Sequence, residues 1–150
     1  MGRHIISNLL PRLNSAGARI LVAATTLAGG VGYAAAANTL TLVNNGNAAS
    51  VVVCNQSSAP ACFAARELVE IIHKSTRVEL AVVGLDSDDA EQTQTRILIG
   101  RNERVRQELG DKLLDSLQKQ ESLVTSRGHD LILVGGDDWG TLYAVYDFLE

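Results

Sequence analysis

The chain has 150 residues, 46% of them hydrophobic and 20% charged. That length suits one ordinary domain and argues against a repeat array or a multidomain enzyme, and the composition is globular, not disordered. A net charge of -4 and a pI near 5.3 speak against non-specific nucleic-acid binding. Aromatics are only 4%, so a core must be built mainly from aliphatic side chains. The two cysteines are too few for a four-ligand zinc site and enough for one disulfide.

Residues 1–37 contain no acid and carry Arg3, Arg12, Arg19 and His4. The apolar run 20–28 follows, then a Gly-rich step, then Ala34-Ala35-Ala36-Ala37. A basic start, a short apolar run and an Ala-x-Ala end describe a secretory signal peptide. The competing reading is an uncut membrane anchor, but the uncharged stretch 20–37 falls short of the ~20 apolar residues of a spanning helix. The sequence therefore predicts a signal peptide over 1–37 and a secreted or periplasmic domain over 38–150. Removing 1–37 takes away three arginines and no acid, moving the net charge from -4 to -7. No nucleic acid, and no membrane after cleavage, is expected as a partner.

The mature chain opens on 39–43, a short β-branched run that reads as a strand. Asn45-Gly46 is a strong turn dipeptide, and 50–54 reads as a second strand, giving a hairpin. Ser57-Ser58-Ala59-Pro60 starts a helix, with a serine cap and a proline in the first turn. It runs to about Ser75, with Ala61, Ala64, Ala65, Leu68, Ile71 and Ile72 as its apolar stripe. Strands are predicted over 78–83 and 96–100, with an acidic loop between them. Residues 102–120 read as a polar helix broken near Gly110. Residues 121–126 and 130–134 form a second hairpin around Arg127-Gly128. Gly135-Gly136-Asp137-Asp138 turns into a last helix over 139–150, where no Gly, Pro or Asn closes the pattern; a fragment boundary is expected there. The fold class is α+β: two layers, with two or three helices packed on a mixed β-sheet of about six strands.

Several constellations have the residue types that chemistry uses. Gly135-Gly136-Asp137-Asp138-Trp139-Gly140 sits where phosphate loops occur, but it has neither GxGxxG spacing nor a P-loop Lys-Ser/Thr. Its aspartates suit a helix cap better than an anion. Asp137 and Asp138, as neighbours, do not suit the ~5–9 Å opposed carboxylates of glycoside hydrolysis. Acids at 86, 88, 89 and 91 do not match an EF-hand loop. Glu70 and His73 have helical ligand spacing without a second pair, and His129 falls in a hairpin. Ser57 and Ser58 lack a nucleophile elbow. No catalytic, cofactor-binding or metal residue is predicted, and no cofactor. Two groups remain. Cys54 and Cys62 could meet in a disulfide across a short connection. Trp139, Tyr143 and Tyr146 fall on one stripe of the last helix, as core anchors, a domain interface or a stacking surface for sugar rings.

A resemblance runs through nearly all of 38–150. It is carried by Leu42-Val43-Asn44-Asn45-Gly46, Val51-Val52-Val53, Ala64-Ala65-Arg66-Glu67-Leu68, Lys74-Ser75-Thr76 and Ile97-Leu98-Ile99-Gly100. It continues through Asp130-Leu131-Ile132-Leu133-Val134-Gly135-Gly136-Asp137-Asp138 and the closing Gly140-Thr141-Leu142-Tyr143-Ala144-Val145-Tyr146-Asp147-Phe148-Leu149-Glu150, its most specific part. This resembles the N-terminal accessory domain of alpha-glucuronidase-like glycoside hydrolases, and is similar to the domain that precedes the barrel in beta-hexosaminidases. Departures stand at Arg77, where the family usually has Gly, at Ala81, where it has Pro, and at Trp139, where it often has Arg. The resemblance implies a non-catalytic N-terminal domain of a secreted glycoside hydrolase acting on polysaccharide or oligosaccharide. It implies a downstream catalytic (β/α)₈ barrel as the partner, which needs ~250 residues of its own. The alternative is a stand-alone secreted module that binds carbohydrate or another protein.

Overall fold

The computed structural model describes residues 5–6, 19–22, 38–88 and 95–150. Ile5–Ile6 (β1) and Arg19–Val22 (β2) come first. Asn38–Thr41 (β3) pairs antiparallel with β2. Val43–Asn44 (β4) and Asn47–Ala48 (β5) close a small hairpin. Its turn is Asn45-Gly46, with φ of 50° and 77°, the positive pair that a tight hairpin turn requires. The expected hairpin between 39–43 and 50–54 is therefore not what forms. The turn acts locally, and Ser50–Cys54 (β6) leaves it to enter another sheet.

That sheet is the centre of the domain. Val82–Val83 (β7), Thr95–Ile99 (β8), Ser122–Arg127 (β9) and Asp130–Gly135 (β10) join β6 in the order β9-β10-β8-β6-β7. Strands β7, β6, β8 and β10 are mutually parallel neighbours, and β9 runs antiparallel to β10. The β9–β10 pair is the hairpin read from the sequence, with Arg127 opposite Asp130. Strand β1 adds in parallel to the far side of β9. Cleavage after Ala37 would thus remove β1 and β2 and leave β9 as an edge. The rest of 1–37 lies outside the described residues.

Four helices are present among the described residues: Ala59–Thr76 (α1), Glu103–Leu109 (α2), Asp111–Ser116 (α3) and Asp138–Leu149 (α4). Each longer one starts where its sequence allows. The Ser58 hydroxyl accepts from the Ala61 N–H at 3.4 Å, and Pro60 occupies the first turn of α1. The Asn102 side chain accepts from the Val105 N–H at 2.9 Å to open α2, and Gly110 separates α2 from α3. Helix α1 ends on Arg77 at φ 63°, the left-handed position that most often takes glycine. The Arg77 N–H closes the end on the His73 carbonyl at 2.8 Å.

The class is the expected α+β, and the helices divide between the two faces of the sheet. Val52, Cys54, Ile97, Ile99, Leu131 and Leu133 point to the face covered by α1 and α4. Val51, Val53, Leu98, Ile132 and Val134 point to the other, where Val105 of α2 and Leu114 of α3 cover them. The result is three layers where the sequence reading gave two. The strands anticipate it: 51–53, 97–99 and 131–134 are unbroken apolar runs, the pattern of strands buried on both sides.

Candidate functional site

The Gly135–Gly140 loop is built from close backbone approach. A Cβ on Gly136 would stand 1.7 Å from the Gln118 carbonyl oxygen, and one on Gly140 would stand 2.4 Å from the Glu121 carbonyl oxygen. The Gly136 N–H donates to the Glu121 carbonyl at 2.9 Å. Asp137 fills the start of α4: its Oδ1 accepts from the Gly140 N–H at 2.8 Å and the Gln120 N–H at 3.1 Å. The Gly140 amide, followed by those of Gln120 and Trp139 and the nearby Lys119 charge, holds the Asp137 carboxyl below the usual carboxylate range. Asp137 meets the Gly140 donor with its side chain and the Thr141 donor with its carbonyl, so the loop is a structural joint.

The other single-residue candidates disperse. Glu70 Oε1 pairs with Lys74 Nζ at 2.5 Å on the surface of α1, and that ammonium lowers the Glu70 pKa. His73 is exposed one turn along. Among the described residues no group of three or more His, Cys, Asp or Glu side chains is placed to hold a metal. Asp86 sits in the turn after β7, Asp88 is helical, and positions 89 and 91 lie outside the described residues. Ser58 is the α1 cap, and the Ser57 N–H turns back to Asn55 Oδ1 at 3.0 Å. His129 is exposed in the β9–β10 turn.

Two groups do converge. The first is aromatic. Helices α1 and α4 lie side by side on one face of the sheet, burying Ala61, Ala64, Ala65, Leu68 and Ile72 from one and Ala144, Val145 and Phe148 from the other. Their outward sides keep Trp139 59%, Tyr143 36%, Tyr146 37% and Phe63 51% exposed. The Tyr146 hydroxyl donates to Glu67 Oε2 at 3.2 Å, which links the two helices. Partial burial, then the Glu67 carboxylate beside it, raises the Tyr146 pKa. Trp139, Tyr143 and Tyr146 are thus not core anchors. Of the five aromatics in 38–150, Phe148 alone is buried.

The second group is the pair of cysteines. Both are free thiols. Their Sγ atoms stand 3.0 Å apart, and the Cys62 Sγ–H also reaches the Asn55 carbonyl at 3.5 Å. Sequence spacing was enough to suggest that they meet, because the link from β6 to α1 is short.

A buried acid and the arginines around it were not legible in the sequence. Asp130 has only 2% of its side chain exposed and pairs with Arg96 Nε at 2.6 Å and Arg104 Nε at 3.3 Å. Arg101 donates to the Gly135 carbonyl at 3.1 Å and to the Leu114 carbonyl at 2.6 Å. It ties the end of β10 to α3. Their signal was faint: an acid opening a strand next to a hairpin looks like any turn residue.

No curated protein matches the chain. A family model does match, over residues 31–148, and it is described as the N-terminus of glycosyl hydrolase family 67. The matched span begins ahead of β3 and ends one residue short of the end of α4, taking in both faces of the sheet. The chain therefore belongs to the N-terminal domain of glycosyl hydrolase family 67, the alpha-glucuronidase family.

Proposed function

We propose that this chain is the non-catalytic N-terminal domain of an exported glycoside hydrolase, and that it supports a catalytic (β/α)₈ barrel acting on glucuronosyl-bearing polysaccharide or oligosaccharide. The observation that carries the reading is the family match over 31–148, since an N-terminal domain of this family implies a catalytic domain elsewhere in the full-length protein. The outer side of α1 and α4 is the surface through which the barrel would be held. Four exposed aromatics on one face exceed what scattered surface hydrophobics provide, and such patches mark interaction sites. The export part of the reading rests on the order of residues in 1–37.

Expression of the full-length gene, of the catalytic part alone and of 38–150 alone tests this. Glucuronosyl-xylooligosaccharides should be hydrolysed by the full-length protein and not by 38–150, and the two parts should co-purify. Turnover by 38–150 above a vector control, or an N-terminus still at Met1 in exported protein, would each overturn one half of the proposal.

A second reading has its own observation. Trp139, Tyr143 and Tyr146 share an exposed stripe beside the Glu67 carboxylate, and aromatic faces with nearby hydrogen-bond acceptors suit sugar rings. In that case 38–150 would bind xylooligosaccharide without any catalytic partner, and Tyr143→Ala would abolish the binding.

A further inference from the structure

Strand β6 ends and helix α1 begins within a few residues, and one sulfur lies on each side of that junction. Cys54 is the last residue of β6 and is fully buried. Cys62 lies in the first turns of α1 and is partly exposed. Their Sγ atoms are 3.0 Å apart, while a disulfide needs ~2.0 Å. The sulfurs already face each other, so bond formation requires a closing movement of about 1 Å. Burial, and then the hydrogen bond to Cys62, pushes the Cys54 thiol up to about 12. Cys54 therefore stays protonated at neutral pH, and of the two residues Cys62 is the one that is not fully buried.

We propose that Cys54 and Cys62 form a reversible redox pair, in which a hydroperoxide oxidises Cys62 and Cys54 resolves the product into an intramolecular disulfide. In the first step the Cys62 sulfur attacks a peroxide oxygen, the O–O bond breaks, water leaves (an alcohol, for an organic peroxide), and Cys62 becomes a sulfenic acid. In the second step the Cys54 sulfur attacks the Cys62 sulfur and the S–O bond breaks. The departing oxygen takes the Cys54 proton and leaves as water. Two thiols lose two electrons and two protons, and the peroxide is reduced. The bond fastens the end of β6 to the first turns of α1. The proposal stands on the two sulfurs alone and is independent of the export reading and of the catalytic partner.

The test uses the whole 150-residue chain, reduced, freed of reductant without oxygen, and exposed to hydrogen peroxide. Samples are quenched in acid, unfolded, alkylated and weighed intact. Alkylation should fall from two thiols per chain to none. The mass should drop by a pair of hydrogens, no disulfide-linked dimer should form, and dithiothreitol should restore both thiols. In Cys54→Ala, Cys62 should be trapped as a sulfenic acid that reacts with dimedone. In Cys62→Ala, Cys54 should remain alkylatable through the same exposure. Should Cys54→Ala fail to fold, a peptide map of the oxidised wild-type chain decides by locating the crosslink. Three results would overturn the proposal: both thiols surviving peroxide that fully oxidises free glutathione, Cys62 running on to sulfinic acid while Cys54 stays free, or disulfide-linked dimers.

Discussion

Asp137 serves two chain segments with one oxygen: it caps α4 through Gly140 and holds the 118–121 loop through Gln120. Its alanine variant should lose about 1–2 kcal/mol at pH 7, the upper range for a helix cap, because the loop is released as well. The sign with pH follows from the lowered folded-state pKa. The stabilisation is fully present above the unfolded value of ~3.9 and is lost as pH falls through the folded value. Urea midpoints of wild type and Asp137→Ala should therefore differ at pH 7 and begin to converge only below the unfolded value of ~3.9, as the folded carboxyl takes up its proton; a gap unchanged throughout the acid range would refute the account. Asp130 gives a larger effect. Its removal leaves Arg96 and Arg104 without their shared carboxylate, though Arg104 reaches solvent, so Asp130→Ala should cost about 2–3 kcal/mol, below the range for a fully buried pair. Arg77 gives the opposite sign. A non-glycine residue in the left-handed region costs roughly 1–2 kcal/mol, and glycine returns part of that as chain entropy. Arg77→Gly should accordingly stabilise α1 by up to about 1 kcal/mol, seen as a raised thermal midpoint.

At the scale of elements, the parts written in local chemistry were legible in the sequence. Ser58, Gly110 and Asp137 mark helix starts and breaks because caps and breaks depend on neighbours in the chain. The β9–β10 hairpin was legible for the same reason. Pairing at a distance was not. Residues 39–43 and 50–54 are both β-branched runs flanking a good turn, and nothing local says that β6 prefers β7 and β8 as partners. Over 78–83 the alternation is real: Val78 and Leu80 are buried while Glu79 and Ala81 are exposed. Only Val82–Val83 makes ladder pairs, with Val52 and Val53 of β6, and the Ala81 carbonyl accepts from the Val52 N–H at 2.8 Å as the chain enters that pairing. The Gly135–Gly140 loop was read correctly as a joint. The reason for its glycines, the approach of 118–121, needed the fold. Gly136→Ala forces a Cβ into the Gln118 backbone, where no side chain can swing aside. It should destabilise on the order of 3 kcal/mol, whereas Gly128→Asn, in the open β9–β10 turn, should be nearly silent.

For the molecule as a whole, the helical layer over α1 and α4 is where the fold and the proposed function meet. Its inner side is closed by Ala144, Val145 and Phe148, so Phe148→Ala should cost about 3–5 kcal/mol as a core truncation. Its outer side carries no such burden. Trp139 is 59% exposed, and Trp139→Arg should change stability by less than about 0.5 kcal/mol. Arginine is the residue that alpha-glucuronidase-like sequences often place there, so the substitution is also expected to leave any contact with the catalytic domain workable. Large aromatics bury ~150–250 Å² each when packed, and at 36–59% exposed the four on this side leave an apolar patch comparable to the largest on an ordinary monomer, ~300–600 Å², a size that is often an interaction site. The segment 38–150, made alone, should then bind a hydrophobic dye or self-associate. The double variant Trp139→Ser/Tyr143→Ser should suppress both while keeping the circular dichroism and thermal midpoint of the parent. Dye binding that persists in the double variant would place the exposed apolar surface elsewhere. A parent segment that is monomeric and silent to dye would mean that this face needs no partner, and the domain-interface reading would fall.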